Sequence, residues 1–249
     1  MRDYLIFRLY GSMASWGDIA VGEYRPSFAH PSKSAIIGLL AAALGIRRDE
    51  DERQKELADA CSFAVRVDAM GTLLRDYHTV QVPSEKKGVR RYTRYSELAN
   101  ENKNLNTILS TRDYRCDAAY TVAVTVRDGA KYTAQALADK LKKPEFTLYL
   151  GRKSCPLAFP LQPKVPKVIS KETLKEALAS VTFNNEELPG VLTNSPYLIY
   201  WEDDRESGFN QEHVITRRDE PLSRNRWQFS ERREHYCSVK KEDETCSLV

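Results

Sequence analysis

A glycine turn carrying two cations and a hydroxyl is the most chemically suggestive stretch of this sequence. Leu148–Leu150 is a short apolar segment, and Gly151, Arg152, Lys153 and Ser154 follow it directly. Glycine has no Cβ, so Gly151 can adopt a positive φ and let another backbone approach closely. Arg152 offers a planar fork of donors and Lys153 a point charge, which together suit a phosphate group. The turn therefore predicts a polyanion site, although a surface turn of this composition can also be simply solvated.

A predicted helix supplies a second candidate phosphate site. The helix starts near Pro31 and stops at Gly45. Its apolar stripe consists of Ile36, Ile37, Leu39, Leu40, Ala43 and Leu44. Free N–H groups of the first turn, together with Lys33 and Ser34, form a plausible anion site. The glycines of a nucleotide-binding P-loop are absent before Lys33, so we exclude ATP binding.

A basic segment at about 75–115 separates two predicted strands. Its cations outnumber its anions, nine to five. The cations are Arg75, Lys86, Lys87, Arg90, Arg91, Arg94, Lys103, Arg112 and Arg115. The interleaved rings are Tyr77, His78, Tyr92, Tyr95 and Tyr114. Cations alternating with stacking groups are typical of single-stranded RNA binding, and a sequence-tolerant insertion would have the same composition. We predict a projecting basic thumb.

The order of predicted elements indicates an α+β fold. The elements are a strand at Tyr4–Tyr10, the helix after Pro31, a strand at Phe63–Asp68, the insertion, a strand at Tyr120–Val126, a helix at Thr133–Lys142 and a strand leading into Gly151. This is the β-α-β-β-α-β order of a ferredoxin-like (RRM-like) domain. We place that domain, with the thumb, in residues 1–160. A smaller, mainly β C-terminal lobe with a frayed tail occupies residues 161–249.

Two surfaces remain open to more than one interpretation. Alternation in the first strand puts Tyr4, Ile6, Arg8 and Tyr10 on one face, which either stacks RNA bases or is covered by a second layer. The C-terminal lobe is predicted to contain a helix near Lys171–Ser180, a strand at Tyr197–Trp201 and then a run of cations and rings. That run consists of Arg224, Arg226, Trp227, Phe229, Arg232, Arg233 and Tyr236. It suits a protein interface as well as RNA.

Composition limits the remaining possibilities. The net charge of +3 is modest, so any polyanion site depends on local clustering. The five cysteines have no C-x-x-C spacing, which argues against disulfides and structural zinc. His30, His213 and His235 have no metal-site spacing, and we expect neither a metal nor another cofactor. The longest apolar run is 12 residues, too short for a membrane span. We expect a cytoplasmic protein without membrane contact.

The segments together resemble the CasD family of CRISPR-associated proteins, subunits of the type I-E Cascade surveillance complex within the repeat-associated RNA-binding superfamily. The resemblance follows family order across most of the chain. The matching stretches are Met1–Ile6, Trp16-Gly17, Gly38–Leu40, Leu44–Asp49, Leu74–Val80, Tyr114–Ala118, Tyr149–Leu157 and Arg218–Pro221.

The resemblance implies a non-catalytic RNA-binding subunit in antiviral defence. Such a subunit holds and caps the 5′ handle of the CRISPR RNA, and its thumb lies beside the backbone subunit CasC. It also contacts the large subunit CasA, and meets target DNA only through the complex. We assign the RNA contacts to Gly151, Arg152, Lys153, Ser154, Lys33, Ser34, Arg75, Tyr77, His78, Tyr114 and Arg115.

The alternative is a metal-independent endoribonuclease that processes precursor CRISPR RNA, because the corresponding subunit of type I-C systems cuts that RNA. Such cutting needs a base near the 2′-hydroxyl and cations for the developing charge. His78 would be the base or acid, assisted by Tyr77 and by Lys153 or Arg75. In type I-E systems a separate subunit, CasE, cuts the RNA, which favours the non-catalytic interpretation.

Overall fold

Strands outnumber helices in this mixed α and β fold. The computed structural model describes residues 1–85, 87–98, 105–158, 166–181, 191, 196–202 and 207–240. The strands are β1 (Arg2–Tyr10), β2 (Met13–Ala14), β3 (Tyr24–Arg25), β4 (Cys61–Ala69), β5 (Thr72–Pro83), β6 (Leu105–Cys116), β7 (Ala119–Val126), β8 (Lys167–Lys171), β9 (Tyr197–Trp201), β10 (His213–Ser223) and β11 (Gln228–Val239). The helices are α1 (Lys33–Leu44), α2 (Asp51–Ala60), α3 (Arg94–Leu98), α4 (Ala134–Lys142) and α5 (Leu174–Ala179). In the described ranges, no helix is both long and apolar enough to span a membrane.

One antiparallel sheet forms the centre of the fold. Within the described ranges its strand order is β10-β11-β9-β4-β7-β1-β8. The inner strands are nearly continuous runs of apolar and β-branched residues, as expected for strands buried on both faces. The strands predicted at Tyr4–Tyr10, Phe63–Asp68, Tyr120–Val126 and Tyr197–Trp201 are confirmed as β1, β4, β7 and β9.

Helices α1 and α4 begin and end at the predicted signals. The Ser32 hydroxyl accepts a hydrogen bond from the Ala35 N–H at 3.1 Å and caps the start of α1. Gly45, with φ of 74°, ends the helix in the left-handed conformation that glycine adopts without strain. Thr133 caps α4 in the same way as Ser32 caps α1. Both predicted helices are therefore confirmed.

Both faces of β1 are buried. Tyr4, Ile6 and Arg8 are respectively 3%, 0% and 6% exposed. Leu174 of α5 lies with Tyr4 around a small cavity, so a second layer covers this face. Of the two interpretations of this face, RNA stacking is wrong, because a buried sheet face cannot receive a base.

One predicted strand and the start of one predicted helix are wrongly placed. The segment before Gly151 is a loop in which Tyr149 forms a single bridge to Pro156. The strand on the far side of β1 is instead β8, which comes later in the chain and pairs with it antiparallel. The helix predicted near Lys171–Ser180 is present but starts later, after Thr173, because Lys171 belongs to β8.

The sheet continues across the predicted domain boundary at residue 160. On one side of the sheet β8 pairs with β1, and towards the other side β9 pairs with β4. The division into two domains stays a prediction. These strand pairings join residues of the first predicted domain to residues of the second. The tail at 241–249, predicted to be frayed, lies outside the described residues.

A second sheet is built around a long hairpin. β5 and β6 pair antiparallel along their full lengths, starting with Thr72 opposite Cys116. Each strand has 12 residues, which corresponds to about 40 Å at strand geometry. Strands β2 and β3 pair with β6, and most side chains further out are exposed or half-buried. The segment predicted at 75–115 is thus a regular hairpin, whose residues 86 and 99–104 lie outside the described part.

Candidate nucleic-acid interface

The glycine turn has a fixed shape set by the chain itself. Gly151 has φ of +81°, and a Cβ there would lie 1.9 Å from the Ser15 carbonyl oxygen. The Ser15 N–H donates to the Leu150 carbonyl at 3.1 Å, and the Leu150 N–H donates to the Cys155 carbonyl at 2.8 Å. The expectation of a positive φ and a closely approaching backbone is confirmed, and that backbone belongs to the protein. The turn presents its side chains from a rigid base.

The two cations of the turn point to different neighbours. The Arg152 guanidinium lies over the Tyr114 ring at 4.9 Å, and one of its nitrogens donates to the Arg25 carbonyl at 3.5 Å. Its Nη1 is buried without a hydrogen-bond partner among the described residues. Lys153 and Ser154 are exposed. Arg152 therefore connects the turn to the base of the hairpin, and Lys153 faces an adjoining groove.

Two adjoining cavities of about 690 and 790 Å³ form a single depression, here called the basic groove. It lies between α1, the loop that ends in Gly151 and the turn joining β10 to β11. Its cations are Arg25, Arg47, Arg48, Lys153 and Arg224, and its rings are Phe146, Tyr149, Trp227 and Phe229. Among the described lining residues, Asp18 is the one carboxylate. The groove combines positive charge with rings, which suits a single-stranded polyanion carrying bases.

The start of α1 contributes less than predicted. Lys33 is only 8% exposed, and its ammonium lies 2.6 Å from a Glu220 oxygen and 3.2 Å from a Glu202 oxygen. The Lys33 backbone N–H donates to Asp219 at 2.8 Å. We correct the assignment of Lys33, because its charge is buried against carboxylates of this chain. Ser34 is half-buried and lines the basic groove.

Buried ion pairs hold the C-terminal strands against the start of α1. His30 is 3% exposed and lies between Arg217, at 2.9 Å, and a Glu234 oxygen, at 3.3 Å. Burial lowers the pKa of His30 and favours its neutral form. Arg232 donates to Asp219 at 2.6 Å and 2.9 Å. Arg232, predicted as part of a surface run, is therefore structural.

The predicted residues at the hairpin base lie on both of its faces. Arg75 donates to Asp113 at 2.9 Å and to the Tyr24 hydroxyl at 2.9 Å. The Arg75 hydrogen bond lowers the pKa of Asp113, so the pair stays ionised and its charges cancel. Tyr77 and His78 are consecutive in β5, so their side chains point to opposite faces.

The two faces can be assigned from the strand register. Tyr114 lies opposite Leu74, on the same face as His78, whereas Arg115 lies opposite Leu73, on the face of Arg75 and Tyr77. Arg152 reaches the Tyr114 face. The structure therefore brings Tyr114 together with the glycine turn and directs Tyr77 away from it.

The catalytic set of the alternative interpretation is not assembled. His78 has Asp76 at 3.7 Å as its described ion-pair partner, and Tyr77 points to the other face of the strand. Lys153 lines the basic groove. Within the described ranges, no group of three or more His, Cys, Asp or Glu side chains is arranged to hold a metal ion. The four cysteines in those ranges are free thiols.

Sequence reasoning missed several cations and rings of the basic groove. Neither Arg48 nor Arg25 was assigned as a candidate site residue from the sequence. Arg224 and Trp227 belong to the ambiguous C-terminal run, which the fold divides between this groove and the buried ion pairs. The sequence signal that could have indicated these residues is an arginine next to a tryptophan in a short turn. This signal is equally typical of RNA contacts and of protein contacts.

Comparison with known proteins gives the family. Residues 4–235 match the family described as CRISPR-associated protein (Cas_Cas5). The match extends from the first strand to the last, and so includes the glycine turn, the hairpin and both walls of the groove. The chain belongs to the Cas5 family of CRISPR-associated proteins.

Individual relatives are consistent with this family. The Cascade subunit CasD of the CRISPR system in Escherichia coli (strain K12) is 40% identical over 169 residues, which is 65% of this chain and 70% of that protein. A chain from a structure titled CRISPR RNA-guided surveillance complex aligns with a TM-score of 0.62 and 25% identity, covering 95% of this chain and 90% of its own. A crystal structure of a Cas protein aligns with a TM-score of 0.62 and 27% identity, covering 96% of both chains.

Proposed function

We propose that this chain is a non-catalytic subunit of a CRISPR surveillance complex that holds the 5′ handle of the CRISPR RNA. The basic groove carries the proposal, because it sets five cations and four rings against one carboxylate among the described lining residues. A single-stranded RNA end needs such a surface, with cations for phosphates and flat groups for splayed bases. The similarity to a Cascade subunit supplies the biological context.

The fold supports the same proposal. We propose that β8, β1, β7 and β4, together with α1 and α4, form a ferredoxin-like domain, and the side-by-side order of these strands supports this assignment. We assign the long hairpin as the thumb of that domain. The Arg152 guanidinium lies over Tyr114 and donates to the Arg25 carbonyl, so it forms a path from the glycine turn to the hairpin base. The handle would follow this path, with Gly151, Lys153, Ser154 and Ser34 beside it.

The partners belong to the proposal as well. We propose that the hairpin contacts the backbone subunit CasC and that the complex, which includes the large subunit CasA, works in the cytoplasm. The hairpin exposes large apolar side chains, namely Leu73, Leu74, Tyr77 and Ile108, each at least 45% exposed. Exposed apolar groups of this kind are common at subunit contacts. The separation of His78 from Tyr77 supports a subunit that does not cut RNA.

The test compares two matched charge reversals. Labelled CRISPR repeat RNA is mixed with the protein in EDTA and measured by filter binding and by a denaturing gel. We expect Arg152→Glu combined with Lys153→Glu to weaken binding on the order of 100-fold at low salt, with a smaller loss at high salt. Lys167→Glu combined with Lys171→Glu changes the charge equally on edge strand β8, away from the groove lining, and should bind like the parent.

The same experiment distinguishes the alternative. RNA mixed with the parent protein should stay intact on the gel and should be retained on the filter. If both double variants lost the same RNA affinity, binding would depend on the net charge of the protein and not on the groove. A discrete cut that disappears in His78→Ala would make this protein a processing nuclease and overturn the proposal.

A further inference from the structure

The turn between β10 and β11 holds an exposed tryptophan over the basic groove. Trp227 is 57% exposed and has φ of 53°, a backbone conformation that bulky residues rarely adopt. The Arg48 guanidinium lies 4.4 Å from the centre of its ring. The Phe229 ring lies beside the indole, with ring centroids 6.4 Å apart, and the exposed part of Trp227 stands at the edge of a cationic depression.

The turn is fixed in place by α2. The Asp51 carboxylate accepts hydrogen bonds from the Ser223 hydroxyl at 2.8 Å, the Arg224 N–H at 3.1 Å and the Asn225 N–H at 3.3 Å. These bonds also satisfy the Asp51 charge and lower its pKa. Trp227 therefore extends from an anchored turn, and its position over the groove is set before any ligand arrives.

A second cation, Arg224, lines the same groove as Trp227 and has no carboxylate partner among the described residues. Arg224 donates to the Ser34 carbonyl, and its Nε is buried with no hydrogen-bond partner among the residues the structure describes. A Cβ on Gly38 would stand 3.1 Å from an Arg224 nitrogen, so the glycine leaves room for this side chain. Burial, followed by the neighbouring charge of Arg48, lowers the pKa of Arg224 to about 10.

These observations point to one kind of occupant. Two neighbouring arginines without a described carboxylate partner attract an anion, and a phosphate takes hydrogen bonds from two guanidinium groups at once. An exposed indole beside a phosphate site gives the attached base a flat surface to stack on. A carboxylate-bearing protein partner would satisfy the charges but would not use the indole in the same way.

We propose that Arg48, Arg224 and Trp227 form a subsite for one nucleotide of single-stranded RNA. The phosphate lies between the two guanidinium groups, and the unstacked base lies against the exposed part of the indole. This subsite rests on the proposed function, since it assigns one nucleotide of the bound RNA to a defined place. It also assigns a base contact to one particular ring of the groove.

The tryptophans of this chain make the proposal directly measurable. The sequence has three, and Trp16 and Trp201 are 1% and 2% exposed. A stacked base should therefore quench the emission of Trp227 and leave the two buried residues unchanged. The experiment titrates the protein with CRISPR repeat RNA and, separately, with the same RNA made abasic, which keeps the phosphates and removes the bases.

We expect quenching by the intact RNA and binding without quenching by the abasic RNA. Trp227→Ala should bind intact RNA about 10-fold more weakly or worse and should lose no affinity for abasic RNA. Trp227→Phe keeps a flat ring at the exposed position and should stay within about 3-fold of the parent. Circular dichroism of each variant checks that the fold is kept.

The outcomes separate this subsite from the broader function. If RNA binds with no change in Trp227 emission, and Trp227→Ala binds like the parent, the subsite is wrong while handle binding stands. If the parent binds no repeat RNA, both fail. Quenching on addition of another complex subunit but not RNA would assign the turn to a protein interface and overturn the subsite.

Discussion

Replacing Gly151 by alanine tests whether the glycine turn is rigid. The left-handed conformation costs alanine about 1–2 kcal/mol. The added Cβ would stand 1.9 Å from the Ser15 carbonyl oxygen, far inside contact distance. Relieving that clash must move one of two backbone segments joined by the bond from the Ser15 N–H to the Leu150 carbonyl. We expect a total loss of about 3–5 kcal/mol in the free energy of unfolding.

A matched glycine separates the two contributions. Gly129 has φ of +76°, and a Cβ there would meet nothing within 4 Å. Gly129→Ala should therefore show the conformational cost alone, about 1–2 kcal/mol. In a chain of this size, 1 kcal/mol lowers the melting temperature by about 2–4 °C.

Thermal unfolding followed by circular dichroism gives the comparison. We expect Gly151→Ala to melt about 6–20 °C below the parent and Gly129→Ala about 2–8 °C below it, with the larger shift always in Gly151→Ala. Equal shifts for the two variants would refute the reasoning, since they would mean that the Ser15 backbone yields to the new methyl group at no cost. The turn would then be compliant, and its cations would not be preorganised.

Two further predictions concern buried charges. Burial raises the pKa of Glu202 from 4.5 to about 7, despite Lys33 beside it, so this group disfavours folding increasingly as the pH rises from about 4.5 to about 7. The free energy of unfolding should therefore fall between pH 5 and pH 8, and Glu202→Gln should remove up to about 3 kcal/mol of that fall. Urea denaturation at the two pH values measures it, and an equal fall in the parent and the variant would contradict the prediction. Asp68 accepts from Arg66 at 2.7 Å and Thr121 at 2.6 Å, all buried. Asp68→Ala removes the carboxylate that pairs with the buried Arg66 guanidinium, and it should cost about 3–5 kcal/mol in the same denaturation assay. A loss below about 1 kcal/mol would contradict this prediction.

Local signals predicted the parts of the fold that local interactions decide. Strands β1, β4, β7 and β9 follow from apolar and β-branched runs, and the ends of α1 from a capping serine and a glycine. The conformation of Gly151 was predictable for the same reason, because a missing Cβ is a property of one residue.

Errors occurred where distant residues decide the outcome. Lys33 at a helix start is an ordinary phosphate motif, and only Glu202 and Glu220, far along the chain, turn it into a buried ion pair. The strand beside β1 was placed before Gly151, where the apolar residues are, whereas β8 forms through pairing at a sheet edge. No periodicity within a short segment carries that information.

The basic groove was only half predicted. Lys153 was found because it sits in a recognisable turn, and Tyr149 was noted within the same family stretch. Arg48 and Trp227 come from segments about 180 residues apart in numbering, and their stacking is visible only after folding. A sequence run rich in arginine and rings predicts a contact surface, but not which of its residues become core.

The placement of the groove walls has a consequence for biosynthesis. One wall comes from α1 and the other from the turn before β11, which is synthesised well after α1. The His30, Arg217 and Glu234 contacts that lock these parts together also need β11. Because chains are synthesised from the N-terminus and domains fold as units, the residues of the glycine turn are made before the groove can be complete. If the groove holds RNA as proposed, that binding requires β11, and truncated chains lacking β11 should not bind the handle through this surface.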